Sequence, residues 1–112
     1  MFLPPDERIH IGVVRLGLAI PGARSKKDRR QAVRSVADRM RHRFDVTVNE
    51  IDLAERPTEA VLVVTTAGND ARAIRRLIDH IEDFVASSGM VVLTRIDGDV
   101  LRWSPDDLLS RQ

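Results

Sequence analysis

Apolar positions along the chain fall into alternating segments of two periods. Residues 9–20 are rich in Ile, Val and Leu on both alternating sides, with Ile9, Ile11 and Val13 on one and Val14, Leu16, Leu18 and Ile20 on the other. A strand apolar on both sides is expected at the centre of a sheet, covered at least in part on each face. Pro21-Gly22 ends it. From residue 26 the period changes. Val33, Val36, Ala37, Met40 and Phe44 recur at helical spacing, so a first helix is expected over 26–43. Ser25 is placed to cap it, and Asp28, three residues on, adds a carboxylate to its first turn. Phe44, Val46 and Val48 then alternate with polar neighbours and predict a second strand over 44–50. A polar link over 55–59 leads to a third, buried strand over 60–66. Gly68-Asn69-Asp70 forms a turn and supplies the next N-cap. Ile74, Leu77, Ile78, Ile81, Phe84 and Val85 give a second helix its apolar face, which Ser88-Gly89 closes.

Residues 90–96 predict a fourth strand. Asp97-Gly98 is a two-residue hairpin signal, with 100–103 as a short return strand. Ser104-Pro105-Asp106-Asp107 has the form of an N-cap, a proline at the first helical position and an acidic first turn, so a short C-terminal helix is expected. The order β-α-β-β-α-β with right-handed crossovers predicts an α+β, ferredoxin-like sandwich with antiparallel strand order 4-1-3-2 and both helices on one face. The expected organisation is a disordered lead-in over 1–8, the domain over 9–98, and a hairpin and short-helix extension over 99–112. Ile11, Val13, Val61 and Val63 fall on the face away from the helices. An apolar face of that kind marks a contact surface. Either the C-terminal segment folds over it with Leu101 and Trp103, or a second copy of the chain packs there or along an edge strand. The homodimer is the preferred expectation.

Composition narrows the class. A chain of 112 residues, 43% hydrophobic and 31% charged, supports one domain with one modest core. With no cysteine it has no disulfide, thiolate nucleophile or cysteine zinc site. No apolar run approaches the length of a membrane span, and the first seven residues lack the basic flank and apolar core of a signal peptide. A cytoplasmic, soluble protein is expected.

Charge changes the picture more. Residues 24–43 hold nine of the eighteen Lys/Arg against two carboxylates, Asp28 and Asp38, a local charge of +7. The other 92 residues carry nine against fifteen, or −6, so the total of +1 hides a strong asymmetry. Such asymmetry points to a polyanionic partner. Lys27, Arg30, Arg34 and Arg41 gather on one flank of the first helix, with Asp38 beside them. Arg24 and Lys26 stand at its entrance, where free N–H groups and the helix dipole favour an anion. These six residues are the candidate phosphate contacts, with RNA or the ribosome as the partner. Against this stands a plain solvated helix face, or one that binds protein. There is no tyrosine, none of the phenylalanines or the tryptophan lies on the first or third strand, and no GXXG loop occurs. Base reading on a sheet or KH-type clamping is therefore not expected, and any contact runs through the backbone.

Catalytic signals are weak. His10, His42 and His80 have no ligand spacing, and Glu50 with Asp52 reads as a strand end more readily than a Mg²⁺ site. Arg24 and Asn49 stand in places loosely like those of the acylphosphatases, whose loop motif Pro21-Gly22-Ala23 does not match. Ser25 has no evident base. No enzyme activity, cofactor, metal or small-molecule ligand is expected.

The segment Ile20-Pro21-Gly22-Ala23-Arg24-Ser25, followed by Lys27, Asp28, Arg29 and Arg30, resembles the IPGARS signature of the YlxP-like proteins, a bacterial family of unknown function. Arg43-Phe44 with Val46, Val48 and Glu50, and Asn69-Asp70, are similar to its further motifs. The resemblance spans about 9–97. Lys26 stands where that family has leucine, and the link over 53–59 lacks its Trp-Gln-Arg step. The resemblance implies a small ferredoxin-like domain, often dimeric. It also implies a gene commonly placed beside those for initiation factor two and ribosome-binding factor A, and so a role near translation.

Overall fold

The computed structural model describes residues 8–51, 56 and 58–105. The elements run β1 (Ile9–Ala19), α1 (Lys26–Arg43), β2 (Thr47–Ile51), β3 (Glu59–Gly68), α2 (Ala71–Ala86) and β4 (Val92–Trp103). They form one antiparallel sheet in the order β2-β3-β1-β4, with β1 central as its two apolar sides require. This is the ferredoxin-like α+β arrangement predicted from the period changes.

The pleat sorts the side chains. Val14, Leu16 and Leu18 of β1, Val48 of β2, and Ala60, Leu62 and Val64 of β3 point to the helices and are buried. They meet Val33, Val36, Ala37 and Met40 of α1 and Ile81 and Val85 of α2 in one core. Phe44 and Val46, expected inward, pack against that core although β2 begins only at Thr47. Gly12 also lies on this side. A Cβ there would stand 2.5 Å from Ile74 Cγ2, so the close seating of α2 on β1 depends on a missing side chain.

Both helices start where the sequence placed caps. Ser25 is extended, and its Oγ accepts from the Asp28 N–H at 3.2 Å. The Asp28 carboxylate accepts in return from the Arg24 N–H at 3.0 Å. Asp70 accepts from the N–H groups of Arg72 and Ala73. Past α2 the chain turns through Gly89, whose φ of +76° favours a residue without a Cβ.

The C-terminal hairpin is not formed. β4 runs unbroken through Asp97 and Gly98, pairing Gly98 with Val14, Leu101 with Ile11 and Trp103 with Ile9. The reason is the central strand. Had the chain turned at Gly98, the first half of β1 would have lost its partner on that side, leaving backbone groups to be satisfied elsewhere. Leu101 and Trp103 therefore extend the open face instead of folding over it. The short helix expected beyond Pro105, the lead-in over 1–7 and most of the link between β2 and β3 lie outside the described residues.

The face away from the helices carries Ile11, Val13, Val61 and Val63, all half-buried, with Ile51, Val92 and Leu101 at 46, 51 and 49% exposure. An ion-pair cluster stands among them. Arg15 donates to Asp97 through Nη2 at 2.8 Å and Nε at 3.2 Å, and Arg95 Nε approaches the same carboxylate oxygen at 2.8 Å. The Arg15 hydrogen bond, with the nearby Arg95 charge, holds the Asp97 carboxyl below the ordinary aspartate range.

Candidate nucleic-acid interface

The stripe that buries α1 also fixes where its cations go. With Val33, Val36, Ala37 and Met40 against the sheet, Lys27, Arg30 and Arg34 emerge on the flank beside β2. The three line one concavity of about 480 Å³ together with Gln31, Ser35 and Asp38. Arg30, Arg34 and Arg41 line an adjoining one of about 430 Å³, floored by Val33, Ala37 and Leu62 and bordered by Asp38 and Glu50. Lys27, Arg30 and Arg34 form no ion pair with a carboxylate among the described residues.

The six candidate residues are not equivalent. All are exposed, but Arg41 is already engaged. Its Nη1 donates to Asp38 at 2.9 Å and its Nη2 to the backbone carbonyl of Val48. It ties α1 to the outer border of β2 and is a poor phosphate ligand. Arg24 and Lys26 sit before the shared concavities and line neither. At the helix entrance, Asp28 already supplies the negative charge that the N-terminus attracts.

Two basic residues of α1 have roles that sequence reading missed. Arg29 is buried, and its Nη1 donates to Glu50 Oε1 at 2.7 Å while its Nε has no partner among the described residues. Arg29 stands four residues before Val33, so the apolar stripe extended backwards by one turn would have placed it on the buried face. Arg43, on the opposite flank from Arg34, lies 5.7 Å from the ring centroids of both Phe44 and Phe84. No sequence signal pairs Arg43 with Phe84, because that contact exists only once α1 and α2 are docked.

The residues weighed for catalysis remain dispersed. Glu50 is held by Arg29, and Asp52 lies outside the described residues. No cluster of three or more His, Asp or Glu is disposed to hold a metal ion among the described residues. Ser25 is occupied as a cap. Asn49 pairs with Val63 on the open sheet face, whereas Arg24 precedes the helix that packs on the other. No described helix is long and apolar enough to cross a membrane.

Residues 11–97 match the family described as "Protein of unknown function (DUF503)". The chain belongs to this family. The match takes in the basic flank of α1 and the whole sheet except the far ends of β1 and β4. No curated protein matches the chain. Among solved structures, it is similar to a de novo designed protein, Foldit4, at 12% identity and a TM-score of 0.49, covering 86% of this chain and 99% of that one. It is also similar to a C-terminal segment of the alpha subunit of aIF2 from Pyrococcus abyssi, at 14% identity and a TM-score of 0.43, covering 87% of this chain and 52% of that one. Both likenesses are too loose to bear on what this DUF503 chain does.

Proposed function

We propose that this DUF503 chain is a non-enzymatic, cytoplasmic accessory protein that holds the phosphodiester backbone of RNA, near the ribosome, on the basic flank of α1. One observation carries the reading. Lys27, Arg30 and Arg34 share a single exposed concavity and have no described carboxylate to neutralise them, while the neighbouring Arg29 and Arg41 are consumed by internal pairs. A fold that neutralises some cations and leaves three together presents a directed positive field. Guanidinium groups suit phosphate oxygens in bidentate geometry. The resemblance of 20–30 to the YlxP-like signature supports the same direction through its association with translation genes.

The test is a filter-binding titration against ribosomal RNA at two salt concentrations. Each phosphate contact contributes about 0.7–0.9 to the slope of log affinity against log salt. Arg30→Glu/Arg34→Glu is expected to weaken low-salt binding at least about tenfold and to flatten that slope by about two. Absence of binding at low salt, or a double variant that binds like the parent, refutes the reading.

The open sheet face favours a second reading, a homodimer or protein-interaction module without nucleic acid. Ile51, Val92 and Leu101 remain about half exposed there, beside Ile11, Val13, Val61 and Val63. Light scattering at micromolar concentration is expected to give the mass of two chains, falling to one in Leu101→Lys. The mass of a single chain throughout ends the dimer reading.

A further inference from the structure

The outer surface of α1 does not end at its phosphate-facing flank. Across Asp38, on the side of α2, lies a concavity of about 580 Å³ lined by Asp38, Arg39, His42, Arg43 and Phe84. Its volume falls in the range of small-ligand sites. Phe84 is half-buried, and its ring meets Phe44 edge to face, 5.6 Å between centroids at 89°. The guanidinium of Arg43 stands 5.7 Å from both rings. This wall combines an aromatic ring with a planar cation, the two surfaces on which unpaired bases stack. The Asp38 charge is offset by Arg41 at 2.9 Å, leaving Arg39, His42 and Arg43 to set the local sign. His80 and Asp83 border the adjoining hollow on the far side of Arg43.

We infer that this concavity receives a base of single-stranded RNA whose phosphates lie on Lys27, Arg30 and Arg34. The inference rests on the RNA reading above and adds to it a stacking contact. Arg34 and His42 are eight residues apart, about 12 Å along a helix, so a short run of nucleotides passes from one site to the other over the same exposed surface. The Asp38 carboxylate, which both hollows share, is the neutralised divide between them. Sheet aromatics are not needed: the helices supply the ring.

The experiment compares oligoadenylate with an abasic oligomer of equal length and charge, by fluorescence anisotropy on the full chain. A stacked base contributes roughly 1–3 kcal/mol, so the abasic oligomer is expected to bind about tenfold more weakly, tenfold being about 1.4 kcal/mol. Phe84→Leu keeps an apolar group against Phe44 but removes the ring. It is expected to weaken oligoadenylate by a similar factor, to leave the abasic oligomer unchanged, and to preserve the salt slope. Arg30→Glu/Arg34→Glu is expected to weaken both oligomers and flatten the slope. Equal affinity of the parent chain for the two oligomers overturns the stacking site while leaving backbone binding intact, whatever the stability of the variant. Unaltered oligoadenylate binding by folded Phe84→Leu overturns it as well. If neither oligomer binds at low salt, the RNA reading falls and takes this one with it.

Discussion

Glu50→Ala is expected to lower the unfolding free energy by about 2–4 kcal/mol, more than any change at an exposed residue of α1. The cause is the guanidinium it abandons. The Arg29 side chain is 11% exposed and that of Glu50 34%. Their 2.7 Å contact is the one strong bond to Arg29, since its Nη1 reaches the Glu59 carbonyl only at 3.5 Å and its Nε has no partner among the described residues. Removing the carboxylate strands a buried charge. Removing the cation does not do the reverse, because Glu50 sits on an edge strand and can hydrate. Arg29→Met, which keeps the volume and deletes the charge, is therefore expected to cost only about 1 kcal/mol. Chemical denaturation of the two variants checks the asymmetry, and equal costs, or a larger cost for Arg29→Met, would refute it.

Gly12→Ala is expected to cost about 2–3 kcal/mol despite adding one methyl group. That methyl would lie 2.5 Å from Ile74 Cγ2 and 3.3 Å from Thr66 Cγ2. Ile74 cannot swing away cheaply. It is β-branched, held in a helix, and buried. Relief requires α2 to lift from β1, which loosens the packing around Ile74 and its neighbours Leu77 and Ile78. Ile74→Ala alone opens a cavity and is expected to cost about 2–4 kcal/mol. In the double variant the new methyl occupies part of the vacated space, so the combined loss is expected to fall short of the sum by about 1 kcal/mol or more. Strict additivity in a double-mutant cycle would show that the two groups do not collide.

Much of this architecture was legible from residue spacing. Ser25 and Asp70 carry caps whose chemistry is local, so both helix starts could be read directly. The two-sided apolar character of β1 placed it centrally. The error at Asp97-Gly98 has an instructive cause: the dipeptide favours a tight turn only when nothing else competes, and here β1 offers a ladder along its whole length. Of the candidate site, Lys27, Arg30 and Arg34 followed from the helical stripe. The fate of Arg29, Arg41 and Arg43 did not, because their partners Glu50, the Val48 carbonyl and Phe84 come from other elements. Counting charges identified the basic segment, but only packing decided which charges remain available.

The bond from Arg41 to the Val48 carbonyl has a consequence for the sheet as a whole. It plugs an acceptor on the β2 border with a charged donor, so an incoming strand would have to evict a guanidinium before it could dock. The opposite border, along β4, has no such plug among the described residues and is twelve residues long. Growth of the sheet by recruitment of another extended segment is thus polarised: one rim is sealed, and the other stands open.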